Sequence, residues 1–383
     1  MNPKRIFLSS PTMNGREMGY IQEAFDTNWI APLGKNVDGF EQELGEYLKN
    51  HQGEPYQEEE YDLAALSSGT AAIHLALKLA GVKEGDRVFC SSLTFAASAN
   101  PICYEKAVPV FIESEWDSWN MSPDSLEEAF RRYPECRIVI CANLYGTPAK
   151  LDQIQGICKE HRAILIEDAA ESLGAVYKGC QTGTYGDYGI FSFNGNKMIT
   201  TSGGGMLLCH TKEEASKARF YATQAREPAR HYEHKEIGYN YRMSNIVAGI
   251  GRGQLWSLDE YIGRKQKIYE TYQEAFRDIP AISMNPVPDG ATANHWLSCI
   301  LLKPDCGIAP EQIMDALAAE NIESRPIWKP MHLQPVFAEC DYVHTGEPVS
   351  EEIFHNGLCL PSDIKNTPED MQRITGIIKQ LFF

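Results

Sequence analysis

Between residues 87 and 168, short apolar segments alternate with segments whose apolar residues recur at helical spacing. The predicted strands cover residues 87–91, 108–112, 137–143 and 163–167, and the predicted helices cover residues 95–103, 125–133 and 152–161. This alternation predicts an α/β fold with a mostly parallel central sheet and helices on both of its faces. In such sheets ligands bind beyond the carboxyl ends of the strands, so residues that follow strands are the first candidates for a site.

A single lysine follows the next predicted strand. Residues 188–193 and 206–209 predict two short buried strands, and Lys197 lies between them. Gly203-Gly204-Gly205, just before the second strand, is most simply a turn that requires positive φ. A partly desolvated lysine loses its proton more easily and becomes a nucleophile for carbonyl carbon. Lys197 therefore indicates a Schiff base with pyridoxal phosphate (PLP).

Other polar and aromatic residues at predicted strand ends have two interpretations each. Asp168 could cap a helix beginning at Ala169, or pair with the protonated nitrogen of a pyridine ring. Phe95 could be a core residue or a ring that stacks on the cofactor. The helix start after Ser68 could be a plain serine cap, or a phosphate site that uses backbone N–H groups. Asp168 together with Lys197 favours the cofactor interpretation.

The remainder of the chain predicts a second, smaller domain. Residues 246–277 predict one long helix that bends near the glycines at 249, 251 and 253, and residues 280–294 are rich in Pro and Gly. A length of 383 residues favours two domains. We place the large, cofactor-binding domain at residues 1–250 and the small domain at residues 251–383.

Composition limits the partners of this chain. The formal net charge is −17, from 35 basic and 52 acidic residues, which argues against nucleic acid or an anionic membrane as the main partner. The eleven cysteines form no C-x-x-C pair, and no apolar segment approaches the length of a membrane span, so we expect a cytoplasmic protein. His231 and His234 lack further ligands at a recognised spacing, so we predict no metal site.

Four motifs occur in an order that resembles the DegT/DnrJ/EryC1/StrS family of PLP-dependent nucleotide-sugar aminotransferases, which have the aspartate aminotransferase fold type I. They are residues 68–72 (SGTAA), 167–172 (EDAAES), 192–197 (SFNGNK) and 238–245 (GYNYRMSN). Each motif alone is weak, whereas the four together are specific.

The resemblance implies a role for each matching residue. Lys197 is expected to form the Schiff base, Asp168 to pair with the pyridine nitrogen, and Phe95 to stack on the ring. Gly69, Thr70 and Ser192 are expected to contact the phosphate. Asn240 is expected to reach the phosphate of a neighbouring subunit, which implies a homodimer. Glu171 stands where many members carry Gln or His near the cofactor's phenolic oxygen, so its role is less defined.

Residues 27–34, 194–197 and 325–332 are most similar to enzymes that make the 4-amino-sugar precursor of bacillosamine. The implied substrate-binding residues are Asn28, Trp29, Ile30, Ala31, Arg325, Pro326, Ile327, Trp328 and Lys329. The expected reaction transfers an amino group from L-glutamate to C4 of a UDP-linked 2-acetamido-2,6-dideoxy-4-ketohexose. GDP-perosamine synthases are the alternative within the family. A noncatalytic sensor or scaffold with the same fold is the alternative from another class.

Overall fold

An eight-stranded sheet forms the centre of the structure, a computed structural model that describes residues 4–53 and 61–383. The helices are Glu17–Asp26 (α1), Lys35–Asn50 (α2), Gly69–Leu79 (α3), Ala96–Tyr104 (α4), Pro123–Arg132 (α5), Leu151–His161 (α6), Lys212–Ala222 (α7), Asn245–Leu255 (α8), Leu258–Phe276 (α9), Pro310–Ala319 (α10), Val349–Asn356 (α11) and Pro368–Gln380 (α12).

The strands are mostly short. They are Asp62–Leu66 (β1), Arg87–Ser91 (β2), Val108–Ile112 (β3), Ile138–Ala142 (β4), Ile164–Asp168 (β5), Val176–Tyr177 (β6), Cys180–Gln181 (β7), Tyr188–Ser192 (β8), Gly205–Cys209 (β9), Ile282–Met284 (β10), Ala291–Thr292 (β11), Ser298–Leu302 (β12), Arg325–Pro326 (β13), Tyr342–Val343 (β14) and Gly357–Leu360 (β15). Between residues 87 and 168, every predicted strand and helix is confirmed within about two residues, an ordinary uncertainty for element ends.

The central sheet has the strand order β1-β9-β8-β5-β4-β2-β3-β14. The pairs from β8 to β14 are parallel. Each successive strand from β2 to β5 is reached through a helix that crosses the sheet, the connection that parallel neighbours need. Only β9 runs against its neighbours, β1 and β8. The predicted mostly parallel sheet is confirmed, and the carboxyl ends of β1, β2, β4, β5 and β8 lie at one edge.

Both faces of this sheet are buried. Val88 and Cys90 of β2 belong to one apolar cluster, whereas Phe89 belongs to another. Alternate side chains of a strand point to opposite faces, so helices must cover both sides. The strands are apolar on both faces for this reason, and their polar residues are concentrated at the ends.

The C-terminal part of the chain contributes to three sheets. Strands β10, β12, β15 and β13 form a separate four-stranded sheet. In addition, β14 extends the central sheet beside β3, and β11 pairs with β6 in a three-stranded sheet. The division at residue 250 stays a prediction.

The long helix predicted over residues 246–277 is wrong in one respect. The chain forms two helices, α8 and α9, which separate at Trp256 and Ser257 rather than at the glycines. The glycines instead allow α8 to pack closely on α1 and α2. A Cβ on Gly251 would lie 2.6 Å from the ring of Phe40, and one on Gly253 would lie 2.8 Å from the backbone of Glu17.

All eleven cysteines are free thiols, and most are buried as small apolar residues. In the described residues, no helix combines the length and the apolar character that crossing a membrane requires.

Gly251→Ala should destabilise the protein by about 1–3 kcal/mol, because the added methyl group overlaps the Phe40 ring in a close-packed interface. The measurement is the free energy of unfolding from denaturant titration. Gly263→Ala, on the neighbouring helix α9 with open space around the new methyl group, is the matched control. It should be neutral or stabilising by up to about 1 kcal/mol. Equal effects of the two substitutions would contradict the packing explanation.

Candidate active site

A cavity of about 320 Å³ lies at the edge of the central sheet where the strands end. Its walls come from the start of α3, the start of α4, the ends of β5 and β8, and the loop after β8. The residues predicted for the cofactor that line it are Gly69, Thr70, Phe95, Asp168, Glu171, Ser192 and Lys197. Segments more than 100 residues apart along the chain therefore converge on one cavity.

The start of α3 forms one wall. Ser68 caps this helix, because its side chain accepts a hydrogen bond from the backbone N–H of Ala71 at 3.0 Å. The first N–H groups of a helix, here Gly69 and Thr70, have no acceptor within the helix and suit an anion. A Cβ on Gly69 would lie 3.1 Å from Cβ of Ser192, so glycine keeps the space between them open.

The interpretation of Gly203-Gly204-Gly205 as a positive-φ turn is wrong. The residue with positive φ is the preceding Ser202, at 73°. Glycine is needed at 204 and 205 because of close approach: a Cβ on Gly204 would overlap Thr201, and one on Gly205 would overlap the backbone of Ser68. The glycines thus bring β9 against the start of α3.

Asp168 is the last residue of β5 and its side chain is buried. Oδ2 accepts a hydrogen bond from Ser98 Oγ at 2.6 Å, and Oδ1 accepts one from the backbone N–H of Ala170 at 3.2 Å. Burial raises the pKa of Asp168, although these hydrogen bonds and the positive charge of Lys197 oppose the increase. Residues 170–174 form turns rather than a helix, so the structure contains no helix at Ala169 for Asp168 to cap.

Lys197 lies opposite, between a carboxylate and an aromatic ring. Its Nζ donates to Glu171 Oε1 at 3.3 Å and lies 4.0 Å from the centre of the Trp296 ring. Glu171 Oε2 also accepts a hydrogen bond from the backbone N–H of Tyr145 at 2.7 Å. Burial raises the pKa of Glu171, and the charge of Lys197 opposes this increase. The cavity therefore holds one lysine beside two buried carboxyl groups.

Aromatic side chains form part of the cavity wall and pack behind it. Phe95 is 55% exposed, and its ring centre is 5.2 Å from that of Trp328. The Trp328 ring also contacts Tyr145, and the Tyr145 hydroxyl accepts a hydrogen bond from the Trp328 backbone N–H at 3.0 Å. Phe95 has a free face because it lies at the opening rather than in the core.

Asn240 does not line the cavity and is exposed on the surface of this chain. The residues on either side hold it in place: the rings of Tyr239 and Tyr241 stack with their centres 4.9 Å apart. Tyr239 donates a hydrogen bond to Glu105 at 3.1 Å, and Tyr241 OH lies 3.1 Å from His74 Nδ1. Asn240 thus lies exposed between two tyrosines whose side chains are held by stacking and hydrogen bonds.

The segment from Asn28 to Ala31 lies outside the cavity. Trp29 is 51% exposed and Ile30 is 47% exposed. Asn245 anchors the segment at the start of α8, because its side chain donates to the Trp29 carbonyl at 2.7 Å and its backbone N–H donates to the Ala31 carbonyl at 3.0 Å.

The segment from Arg325 to Lys329 is divided between cavity, core and surface. Trp328 lines the cavity, whereas Ile327 is 1% exposed and packs in the core. Arg325 and Lys329 are exposed. The Arg325 guanidinium is paired with Glu323 at 2.8 Å. Pro326 is exposed and pairs in β13 with Leu358.

The histidines considered for a metal are not held together as ligands. His231 Nε2 lies 3.1 Å from a Glu233 oxygen, and His234 Nδ1 lies 2.8 Å from the Gln224 carbonyl. Over residues 4–53 and 61–383, three or more His, Cys, Asp or Glu side chains nowhere form a group that could hold a metal ion.

Sequence reasoning missed Ser98, Tyr145 and Trp296. Ser98 had a usable signal, because it lies in the first turn of the helix after β2, at the edge where ligands bind. No sequence signal placed Trp296 in the site, since it comes from the segment before β12, 99 residues after Lys197.

The fold is that of solved aminotransferase structures. A crystal structure described as a DegT DnrJ EryC1 StrS aminotransferase from Brucella abortus superimposes with a TM-score of 0.86 at 27% sequence identity, covering 96% of this chain and 95% of that one.

The chain belongs to the DegT/DnrJ/EryC1/StrS aminotransferase family, whose sequence model matches residues 11–379. It is 51% identical to EpsN of Bacillus subtilis (strain 168), whose name describes a pyridoxal phosphate-dependent aminotransferase, over 99% of this chain and 96% of EpsN. It is 34% identical to the GDP-perosamine synthase of Escherichia coli O157:H7, over 94% of this chain and 93% of that protein. The chain is therefore a PLP-dependent sugar aminotransferase rather than a noncatalytic member of the fold.

The residues present fit the cofactor. The helix start at Gly69 and Thr70 offers N–H groups to a phosphate, and the space beside Gly69 would be filled by a Cβ. Asp168 is a buried carboxylate that a cationic ring nitrogen would stabilise. Lys197 faces the same cavity from another wall.

Asp168→Asn should raise the melting temperature of the cofactor-free protein by a few degrees at pH 7. The pKa of Asp168 is raised above its unfolded value of about 3.9, so the wild type loses stability as the pH rises from that value through the raised pKa of the folded state. The asparagine variant cannot ionise, and the difference should disappear near pH 4. The measurement is thermal unfolding against pH. A lower melting temperature for the variant at pH 7 would mean that the hydrogen bonds from Ser98 and Ala170 outweigh the cost of burial.

Proposed function

We propose that this enzyme transfers an amino group from L-glutamate to C4 of a UDP-linked 2-acetamido-2,6-dideoxy-4-ketohexose. The products are 2-oxoglutarate and UDP-2-acetamido-4-amino-2,4,6-trideoxyglucose. The observation that carries the proposal is the cavity in which Lys197 faces Asp168 and Glu171 beside the start of α3. In this arrangement Lys197 is available as a base, the carboxyl groups can pair with a cation, and the start of α3 can bind an anion, all within one cavity.

Lys197 is the proposed residue that binds PLP covalently and moves protons during the reaction. When bound, the cofactor supplies an electron sink for the carbanion that amino transfer requires. Nζ of Lys197 takes the proton from Cα of the amino donor, a role for which a lysine must reach the substrate carbon from inside the cavity. Its position 4.0 Å from the Trp296 ring keeps Nζ on that side of the cavity.

Asp168 is the proposed partner of the pyridine nitrogen. Ser98 and the Ala170 N–H fix its two oxygens, so the carboxylate presents a defined direction to the cavity. A buried carboxylate with a raised pKa is stabilised by a cation, and in return keeps a proton on the ring nitrogen.

Glu171 is the proposed proton partner of Lys197. Its Oε1 is 3.3 Å from Nζ, and the Tyr145 N–H holds the other oxygen. Since burial raises the pKa of Glu171, this carboxyl group can accept a proton from Nζ and return it. Lys197 and the Tyr145 N–H thus supply one donor to each oxygen of this buried carboxyl group.

The nucleotide part of the substrate must lie outside the cavity. A cavity of about 320 Å³ is small for a ligand site, whereas a sugar nucleotide is long and anionic, so we assign only its reacting hexose to this cavity. We assign the remainder to a cleft beside Trp328, with Arg325 and Lys329 as cations and Trp29 as an apolar wall. The exposure of Arg325, Lys329 and Trp29 supports this assignment.

A GDP-linked 4-keto-6-deoxy sugar is the second candidate substrate. The relative from Escherichia coli O157:H7 and further relatives from Caulobacter vibrioides and Vibrio cholerae, at 32% identity each, are named as GDP-perosamine synthases. Both candidates share amination at C4, and they differ in the base that the outer cleft must recognise.

We propose a homodimer in which Asn240 of one subunit completes the phosphate site of the other. The exposed position of Asn240 supports this role, and the exposed apolar side chains of Ile30 and Ile237 support a contact between subunits. The free thiols support a reducing compartment such as the cytoplasm.

Purified enzyme with L-glutamate should convert the UDP-linked 4-keto sugar, and the product should be identified by NMR as the 4-amino sugar. Lys197→Ala should give no product, because the residue that moves the proton is absent. The GDP-linked 4-keto-6-deoxy sugar is offered in parallel. Turnover of that substrate alone would replace the UDP assignment with the GDP one, and turnover by Lys197→Ala would reject the role of Lys197.

Arg325→Ala should raise KM for the sugar nucleotide about tenfold or more, while the reaction with glutamate alone stays near normal. The loss of a charged contact to the diphosphate affects only the longer substrate. Arg131→Ala is the matched control, since Arg131 is similarly exposed and also paired with one glutamate. Equal losses in both half-reactions would place Arg325 at the cofactor and reject the proposed cleft.

A further inference from the structure

We propose that Lys265, a buried lysine of α9 outside the cavity, is a positioning residue for Lys197. The inference rests on the proposed function in one respect, namely that Lys197 is the lysine that binds the cofactor. Lys265 belongs to the C-terminal part of the chain, and none of the motifs that identify the family includes it.

Lys265 closes a ring of hydrogen bonds around the backbone next to Lys197. Its Nζ donates to the Trp296 carbonyl at 2.9 Å and to Ser9 Oγ at 3.1 Å. Trp296 Nε1 donates to the carbonyl of Asn196 at 2.6 Å, and Ser9 Oγ donates to the same carbonyl at 3.3 Å. Lys265 therefore holds both residues that bind the carbonyl immediately before Lys197.

The same contacts also set the position of the Trp296 ring. The ring lies 4.0 Å from Lys197 Nζ, and Trp296 is fixed at three points. Its backbone N–H donates to Asn294 Oδ1 at 2.9 Å, its carbonyl accepts from Lys265, and its indole N–H binds Asn196. Removing Lys265 releases one of these points, so the ring gains freedom relative to Lys197.

A role in stability alone does not account for a lysine at this place. The side chain is 4% exposed, and burial lowers the pKa of Lys265 to about 7, with only partial compensation from the charge of Asp363. Asp363 is itself engaged with Ser10 and lies 3.8 Å from Lys365. Methionine has a similar length without the cost of burying an amine, so what the amine adds at this place is its hydrogen bonds to Trp296 and Ser9.

The test compares Lys265→Met with Lys267→Met, a matched control two residues along the same helix and exposed. Three quantities are measured. The first is the rate constant for PLP capture by cofactor-free protein, followed by near-visible absorbance. The second is the rate at which L-glutamate bleaches that band, with its half-saturating concentration. The third is the melting temperature of the cofactor-free protein.

We expect both rate constants to fall about three- to tenfold in Lys265→Met, the size that the loss of one hydrogen bond gives. The half-saturating glutamate concentration should not change, and the melting temperature should be no lower than in the wild type. Lys267→Met should match the wild type throughout. Trp296→Phe keeps a ring but loses the bond to Asn196, so it should show the same losses, and the double variant should lose little more.

Wild-type rate constants in folded Lys265→Met would overturn the proposal. A second contrary result would be reduced rate constants that come with a lower melting temperature, if the reductions in Lys265→Met and Trp296→Phe add fully in the double variant. If Lys265→Met does not fold, the Trp296→Phe variant tests the proposal alone. Wild-type rate constants in Trp296→Phe would then overturn the proposal. Borohydride reduction followed by peptide mapping separates the two assignments. A label on a lysine other than Lys197 rejects the proposed function, whereas a label on Lys197 with unchanged rates rejects only the role of Lys265.

Discussion

Two buried carboxyl groups and one lysine share the cavity at the edge of the central sheet, and much of the surrounding structure holds them there. Burial raises the pKa of both Asp168 and Glu171, so each charge depends on donors from elsewhere in the chain. Ser98 of α4, the Tyr145 N–H and Lys197 supply these donors. Charged groups can be kept away from water here because the fold brings their partners from several separate elements.

The sheet makes this convergence possible. Strands β2 to β5, which are reached through crossing helices, and the parallel strand β8 all end at one edge, so Asp168 at the end of β5 and Ser192 at the end of β8 face the same space. Close packing completes the wall, since glycines at 69 and 205 let β8 and β9 approach the start of α3. The strand ends position the polar side chains of the site, and the glycines leave space for the cofactor of this aminotransferase family.

Much of the site could be predicted because it depends on residues next to strand ends. Gly69, Thr70, Phe95, Asp168, Glu171, Ser192 and Lys197 all line one cavity, as the local patterns and the family motifs indicated. The substrate segments were less predictable: Ile327 is buried in the core, and Arg325 is paired with Glu323. Alternation of apolar residues shows which side of a strand is buried, but not which charged side chain a distant neighbour will engage.

By itself the sequence determined the alternation of strands and helices between residues 87 and 168 and the lysine motif, because both are set by neighbouring residues. Only the tertiary structure decided the break between α8 and α9, the reason for the glycines and the positions of Trp296 and Lys265. Those features depend on contacts between segments far apart in the chain, such as Phe40 against Gly251 and Lys265 against the Trp296 carbonyl. A glycine needed for close approach looks the same in sequence as one needed for a turn, and only its packed neighbours distinguish the two.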